Sequence, residues 1–248
     1  MATQREEIRI ETADGTARAW IHRGGEGPLP AVLMYPDAYD VRPAMHDMAD
    51  RLAALGYLVL LPGIFYRAGA YRPFDKATVW NDPPERERLR ALIGTLTLDR
   101  LRADAGAYLD ALASQRDVRA DRLGAVGYCM GGRLAFVTAA LHPDRVRAAA
   151  SFHPGGLVTD APESPHRLAG RVKGALYVGV ADEDRGFAPE QQGALAAALG
   201  EAHVDYRIEL YRGKRHGYAV TDHPGAYDAD AAARHWRRIE SFFGETLA

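Results

Sequence analysis

The chain has 248 residues, of which 47% are apolar and 26% are charged, and its formal net charge is -2. This composition excludes a disordered or fibrous protein, and the near-neutral charge excludes a sequence-wide attraction for nucleic acid or for an anionic membrane. The charged N-terminus argues against a secretory signal, and the chain has no run of about 18 apolar residues that could span a membrane. A single cysteine cannot form an internal disulfide, so we expect a cytoplasmic protein.

In chain order, the N-terminal segment first predicts a β-hairpin, because apolar and polar residues alternate on both sides of an Asp-Gly turn. Short, continuous apolar runs follow, and these are typical of strands buried on both faces. Between them, apolar residues recur at helical spacing. We therefore predict hairpin strands at 8–12 and 17–21, further strands at 31–35, 57–61, 123–127, 148–152, 175–180 and 204–211, and helices at 43–55, 85–94, 97–115, 131–141, 189–199 and 225–243.

Strands that alternate with helices are typical of an α/β domain with a largely parallel sheet. We expect residues 1–248 to form one such domain. Its central sheet should have about 7–8 strands flanked by helices. The segment at 65–98 interrupts this alternation with Pro, Gly and aromatic residues, and it is the place where an insertion could form a lid.

The only cysteine, Cys129, lies in the stretch Gly-Tyr-Cys-Met-Gly-Gly, between the strand predicted at 123–127 and the helix predicted at 131–141. Glycines two residues before and two residues after it form the pattern of a nucleophile elbow, a sharp turn that exposes a nucleophile. The N-terminus of the following helix favours a thiolate and a nearby oxyanion. A lone cysteine is often a buried packing residue instead, but the glycines and the strand-to-helix setting favour a nucleophile.

A thiol nucleophile needs a base and an acid that orients the base. In folds with this elbow, acid and base follow the nucleophile along the chain, each in a loop after a later strand. One such loop carries both Asp182 and Asp184, and on the residues alone either could be the acid. The next such loop carries His216, which we predict to be the base. His153, which follows another strand, stays an alternative.

No pair of histidines or cysteines has the spacing of metal ligands. Neither the phosphate loop G-x-x-x-x-G-K nor the dinucleotide fingerprint G-x-G-x-x-G occurs. We therefore expect no metal and no cofactor, so that side chains and backbone groups alone supply the chemistry.

These motifs together resemble those of one known family. With Cys129 in Gly-Tyr-Cys-Met-Gly-Gly, an acid within 182–184 and His216 in His-Gly-Tyr, nearly the whole chain is similar to the dienelactone hydrolase family of the α/β-hydrolase fold. The resemblance implies this fold and a carboxylic ester hydrolase of the carboxymethylenebutenolidase type. It also implies a small lactone or ester as substrate, no cofactor, no nucleic-acid or membrane partner, and a monomer or weak homodimer.

The resemblance also implies roles for individual residues. Cys129 attacks the lactone carbonyl, and His216 transfers the protons. The backbone N–H groups of Met130 and Ala38 form the oxyanion hole. Asp37 occupies the position where the family has an acidic residue, usually Glu, that helps to control the proton of the thiol before substrate arrives.

Substrate binding is where this sequence departs from the family pattern. Family members carry an arginine four residues after the catalytic histidine, where it holds the substrate carboxylate, but this chain has Val220 there. The remaining candidates for substrate contact are Arg67, Tyr39 and Tyr218. Because the carboxylate clamp is incomplete, we expect a related lactone or a small ester rather than the dienelactone itself.

The family's spacing around its catalytic acid favours Asp184 over Asp182. Two alternative functions stay open. One is a general carboxylesterase that uses the same groups on substrates other than lactones. The other is a redox-responsive thiol protein on a hydrolase scaffold, in which Cys129 forms a sulfenic acid and no ester is cleaved.

Overall fold

Eight strands and six α-helices are present in the computed structural model, which describes residues 3–247. The strands are β1 (Gln4–Thr12), β2 (Gly15–Arg23), β3 (Leu29–Tyr35), β4 (Leu58–Pro62), β5 (Val118–Tyr128), β6 (Val146–Phe152), β7 (Ala175–Glu183) and β8 (Tyr206–Arg215). The helices are α1 (Pro43–Ala54), α2 (Pro83–Gly94), α3 (Leu98–Ala113), α4 (Met130–Leu141), α5 (Pro189–Glu201) and α6 (Ala229–Leu247), with short 3-10 helices at Tyr66–Ala68 and Pro165–Arg171. None of these helices combines the length and the apolar character needed to span a bilayer.

The strands form one sheet in the order β1-β2-β4-β3-β5-β6-β7-β8. The pairs β1/β2 and β2/β4 are antiparallel, and every other neighbouring pair is parallel. This arrangement confirms the predicted α/β-hydrolase fold. From β3 the chain runs to β4 on one side and later returns to β5 on the other side. The carboxyl ends of β3 and β5 therefore border a crevice of the kind in which open α/β sheets bind ligands.

Helices cover both faces of the sheet, so its central strands are buried on both faces. In β3, Ala31, Leu33 and Tyr35 belong to the core that also contains residues of α3, α4 and α5. Val32 and Met34 belong to the second core, which contains residues of α1 and α6. This burial explains why the sequence of β3 is a continuous apolar run rather than an alternating one.

Several boundaries differ from the prediction by a few residues, and two of these differences have a clear physical reason. β5 begins at Val118, five residues before the predicted start. The prediction missed these residues because the first half of the strand is polar and only partly buried. An apolar run marks only the part of a strand that is buried on both faces. α6 begins at Ala229 rather than at residue 225, because the carboxylate of Asp228 accepts a hydrogen bond from the backbone N–H of Ala231 at 2.9 Å and caps the helix there.

The segment at 65–98 is tied to the rest of the fold by ion pairs near its start. Arg67 donates to both carboxylate oxygens of Asp104 in α3, each at 2.7 Å, and to Asp14 in the hairpin turn, also at 2.7 Å. The hydroxyl of Tyr66 donates a further hydrogen bond to Asp104 at 2.7 Å. The beginning of the segment is therefore anchored, and a lid function for the rest of it stays a prediction.

Replacing Arg67 with Met should lower the free energy of unfolding by about 3 kcal/mol, because the carboxylate of Asp104 would stay buried without its cation. The side chains of Arg67 and Asp104 are only 9% and 5% exposed. Arg72→Met is a matched control, since Arg72 is 71% exposed in its pair with Glu85 and its loss should cost less than about 1 kcal/mol. Urea unfolding measures both values, and equal losses would contradict the anchoring role of Arg67.

Candidate active site

Cys129 lies in a strained turn at the carboxyl end of β5. It directly follows Tyr128, the last residue of β5, and precedes Met130, the first residue of α4. Its φ of 56° and ψ of -120° lie in a region that residues other than glycine rarely occupy. A hydrogen bond of 3.0 Å from its backbone N–H to the carbonyl of Phe152 in β6 holds the turn in place. The thiol is thereby presented at the edge of the sheet, and its side chain is only partly buried.

The two glycines that flank Cys129 are required by close approaches of the backbone. A β-carbon at Gly127 would lie 2.0 Å from the carbonyl oxygen of Gly131, and one at Gly131 would lie 2.3 Å from the carbonyl oxygen of Pro36. Neither neighbour is a flexible side chain that could move aside. Both glycines of the pattern G-x-C-x-G are therefore needed because the backbone leaves no room for a side chain at either position. The close approach at Gly131 is between the start of α4 and the loop after β3.

His216 and Asp184 come together at the carboxyl ends of β8 and β7. The Nδ1 atom of His216 lies 2.6 Å from Oδ2 of Asp184, whose side chain is only 5% exposed. The other oxygen, Oδ1, accepts a hydrogen bond of 2.8 Å from the backbone N–H of Gly186. Asp182, in contrast, is exposed and accepts from the backbone N–H of Gly213 at 3.0 Å. The structure thus brings Asp184, and not Asp182, to the histidine.

The side chain of Cys129 lies near His216 and interacts with it electrostatically. Because Nδ1 faces Asp184, Nε2 is the ring nitrogen left for the thiol. Burial lowers the pKa of His216, but the negative charge of Cys129 and the hydrogen bond that the ring donates to Asp184 outweigh burial and raise the pKa well above its ordinary value. The carboxylate of Asp184 therefore favours the imidazolium form of His216.

His153, the alternative base, lies next to His216 but has different surroundings. The two rings are 5.1 Å apart, and His153 is only 1% exposed. Neither of its ring nitrogens has a hydrogen-bond partner among the described residues. Burial and the positive charge of His216 lower the pKa of His153 well below its ordinary value. His153 is thus a buried neutral ring that packs against His216, and it has no acid to orient it.

The backbone amides expected to form the oxyanion hole belong to the two segments that meet at Gly131. Ala38 lies in the loop after β3, and Met130 begins α4. Neither amide donates a hydrogen bond to another residue in the described part of the chain. Both N–H groups are therefore available, and their role as an oxyanion hole stays a prediction.

Asp37 forms its ion pair with Arg42, a residue that no sequence motif indicates. Its oxygens Oδ1 and Oδ2 accept hydrogen bonds from Nη1 and Nη2 of Arg42 at 2.7 and 2.8 Å. The same guanidinium also binds Asp222 at 2.8 and 2.9 Å. Within residues 3–247, no hydrogen bond joins Asp37 to Cys129. The control of the thiol by Asp37 stays a prediction, and any such control must act in competition with Arg42. The only signal in the sequence was an arginine five residues after the aspartate.

The three side chains expected to contact substrate lie in different places. Burial raises the pKa of Tyr39 to about 12, and the charges of Cys129 and Asp37 add to this shift, so Tyr39 borders the site. Its hydroxyl accepts a hydrogen bond of 2.8 Å from Trp80. Tyr218 is completely buried, and its ring stacks on that of Tyr211 at 4.3 Å. Arg67 already donates from each of its three nitrogens to a carboxylate. Only Tyr39 therefore has a position suited to substrate contact in this structure.

Tyr39 also lines a cavity of about 650 Å³. Aromatic side chains make up much of its wall: Trp20, Tyr39, Phe65, Tyr66, Tyr71 and Phe74. Two cationic wall residues, Arg42 and Lys76, are both paired with Asp222. The cavity thus offers mainly apolar surface beside the loop that carries Ala38. Among the described residues, no group of three or more His, Cys, Asp or Glu side chains could hold a metal ion.

Comparisons with known proteins identify the family to which the chain is similar. The model for the dienelactone hydrolase family matches residues 18–247. A relative from Synechocystis sp., provisionally named a carboxymethylenebutenolidase, is 26% identical over 224 residues, which are 89% of this chain and 88% of the relative. A relative from Bradyrhizobium sp., provisionally named a 2-oxo-3-(5-oxofuran-2-ylidene)propanoate lactonase, is 27% identical over 217 residues, which are 85% of this chain and 81% of the relative. The solved structure of m3DLH has a TM-score of 0.84 to this chain at 29% identity, with 100% of both chains covered.

Replacing Gly131 with Ala should strongly reduce ester hydrolysis, because the new methyl group must push the loop after β3 away from α4. Gly193→Ala in α5 is a matched control, since a β-carbon there meets nothing within 4 Å and should stabilise the helix slightly. The turnover number and the thermal unfolding temperature of both variants measure the effect. A Gly131→Ala enzyme with normal turnover would show that the close approach does not position the site.

The alkylation of Cys129 by iodoacetamide should depend on pH through His216. Since the imidazolium favours the thiolate, the wild-type rate should stay high at pH 6.5, whereas His216→Gln should behave like an ordinary thiol with a pKa of about 8.5. We expect the wild type to react at least about tenfold faster at pH 6.5 and the two rates to converge at high pH. Identical pH profiles would contradict the pairing of thiol and histidine.

The same pairing should affect stability. Because folding raises the pKa of His216, its interactions stabilise the fold fully below the unfolded value of about 6.5, and this contribution is lost as pH rises through the folded pKa. The difference in unfolding free energy between the wild type and His216→Gln should therefore shrink as pH increases. Urea unfolding over a pH series measures this difference, and a constant difference would contradict the raised pKa.

Proposed function

The chain belongs to the dienelactone hydrolase family and is a carboxylic ester hydrolase, and on this premise we propose that it cleaves a small lactone or ester through a covalent thioester on Cys129. The contact that carries the proposal is His216 between the thiol and the carboxylate of Asp184, which is 2.6 Å from its ring. This is the arrangement of nucleophile, base and orienting acid that acyl transfer requires. Its chain order, nucleophile, acid and then base, is that of folds with a nucleophile elbow.

The first half of the reaction forms the thioester. The thiolate of Cys129 attacks the carbonyl carbon, and the electron pair of the C=O bond moves to the oxygen. The backbone N–H groups of Met130 and Ala38 stabilise this oxyanion, and such a donor is worth about 3 kcal/mol at the transition state. As the tetrahedral intermediate collapses, the C–O ester bond breaks and the leaving oxygen takes a proton from His216.

The second half releases the acid. Neutral His216 removes a proton from water, and the hydroxide oxygen attacks the thioester carbon. Collapse of this second intermediate breaks the C–S bond and restores the pair of thiolate and imidazolium, while Asp184 keeps the ring oriented throughout. For a lactone, the leaving oxygen stays attached to the acyl chain, so the product is one hydroxy acid.

A general carboxylesterase with the same chemistry is the second candidate. A cavity of about 650 Å³ with an aromatic lining begins at Tyr39; Cys129 and His216 do not line it, but it could hold the distal part of an ester larger than a small lactone. The position of the family's substrate-binding arginine is taken by Val220, which is fully buried in the core. Both observations support a search among aryl and alkyl esters as well as lactones.

Three substitutions test the catalytic residues on p-nitrophenyl acetate and on dihydrocoumarin, an aryl lactone. Cys129→Ala should abolish turnover, and His216→Gln and Asp184→Asn should each lower kcat by a factor on the order of 10²–10⁴. Asp182→Asn is the matched control and should leave kcat unchanged within about twofold, because surface changes have small effects. Full activity of Cys129→Ala would exclude the thiol as nucleophile.

Mass spectrometry distinguishes the thioester from other routes. After rapid acid quenching with p-nitrophenyl acetate, the peptide that contains Cys129 should carry an added acetyl group, and slower deacylation should increase this fraction in His216→Gln. If the wild type cleaved neither substrate class and Cys129 instead formed a sulfenic acid rapidly with hydrogen peroxide, the redox function would replace this proposal.

A further inference from the structure

We propose that Arg133 is a substrate-binding residue of this site, and that its guanidinium selects esters or lactones that carry a second, anionic carboxylate group. The inference rests on the hydrolase function proposed above and adds a residue to it. Neither the sequence motifs nor the family pattern singled out Arg133, whose position is set by the helix that follows the nucleophile.

The helix directs Arg133 toward the thiol. Arg133 lies in the first turn of α4, four residues after Cys129, which precedes the helix in a non-helical conformation. Side chains of a helix tilt toward its N-terminus, and here the N-terminus is the nucleophile turn. The Nη1 atom of Arg133 lies 3.3 Å from the position that a β-carbon on Gly156 would take. A β-carbon on the neighbouring Gly155 would lie 4.0 Å from Cε1 of His216. The side chains of Arg133 and His216 therefore both approach the loop after β6.

Arg133 has no counterion in the protein. Within residues 3–247 it forms neither an ion pair nor a hydrogen bond with another residue. Burial lowers its pKa, and the negative charge of Cys129 is the only charged group that counteracts this shift. Arg42 is also largely buried, yet the carboxylates of Asp222 and Asp37 overcome burial and raise its pKa. A desolvated, unpaired guanidinium is costly, and a bound carboxylate would relieve that cost with charge-assisted hydrogen bonds.

Other cationic side chains near the site are already occupied. Arg42 and Lys76 bind Asp222, and Arg67 binds Asp104. At the family's position for an arginine, Val220 is buried. Arg133 is thus the cation beside Cys129 whose donors are free to receive a planar carboxylate.

The sheet order indicates how a substrate would lie. β5, which carries the nucleophile, is flanked by β3 and β6. Arg133 and Gly156 are on the β6 side, whereas Tyr39 and its aromatic cavity follow β3. An ester whose carbonyl carbon is at Cys129 can therefore place a charged group toward Arg133 and an apolar group toward Tyr39.

Matched esters test this selectivity. p-Nitrophenyl hydrogen glutarate carries a carboxylate on its acyl chain, and p-nitrophenyl pentanoate is its neutral counterpart of equal length. Arg133→Met should lower the ratio of their kcat/KM values by roughly ten- to a hundredfold, the range expected for a hydrogen bond to a charged group. Arg133→Lys, which keeps the charge, should recover part of the ratio. A third ester, 3-carboxy-4-nitrophenyl pentanoate, has its carboxylate on the leaving group. Of the two esters that carry a carboxylate, the one whose kcat/KM falls more in Arg133→Met shows whether Arg133 contacts the acyl group or the leaving group.

Arg237→Met is the matched control. Arg237 is exposed on α6, which packs on the opposite face of the sheet from α4. Its replacement removes one positive charge from the protein without touching the site, so the glutarate-to-pentanoate ratio should stay at the wild-type value. Thermal unfolding of each variant confirms that the comparison is between folded proteins.

A second measurement does not depend on turnover. Free glutarate should slow the alkylation of Cys129 by iodoacetamide in the wild type and should fail to do so in Arg133→Met. If Arg133→Met lowered kcat/KM equally for charged and neutral esters, and glutarate protected both proteins alike, the inference would be overturned while the hydrolase function stood. If the wild type cleaved no ester but glutarate still protected its thiol, the hydrolase function would fail and the anion site would remain.

Discussion

The close approach between the start of α4 and the loop after β3 is the constraint on which the site depends. At Gly131 a side chain would meet the carbonyl of Pro36, and at Gly127 it would meet the backbone of Gly131. With both side chains absent, the chain can turn sharply at Cys129, which takes a backbone conformation that is unfavourable for a non-glycine residue. The same approach brings the segments of the Ala38 and Met130 amides together.

The charges around this turn follow one physical rule. A charge that loses water needs a partner, and most charges here have one within the protein. Asp37 binds Arg42, and Asp184 binds His216. Arg133 is the exception, since it faces the thiol without a carboxylate. His216 and Arg133 both interact electrostatically with the side chain of Cys129, an arrangement suited to an anionic substrate.

Much of this structure was predictable because it follows from local patterns. The continuous apolar run of β3 indicates burial on both faces, and the structure has a core on each side of that strand. The start of β5 was not predictable in this way, since its polar first half lacks such a pattern. The elbow at Cys129 could be recognised from its glycines alone, because a steric requirement at fixed spacing leaves a direct trace in the sequence.

The sequence by itself determined the fold class, the position of the elbow and the order in which Cys129, an acid and His216 follow one another. Only the tertiary structure decided which carboxylate meets the histidine, because Asp182 and Asp184 are two residues apart and yet bind groups in different directions. It also decided that Asp37 pairs with Arg42, that Tyr218 is buried in the core and that Arg133 has no partner among residues 3–247. Spacing along the chain encodes turns and strands, whereas the partner of a charged side chain depends on which distant segments pack against it and on how much water they exclude.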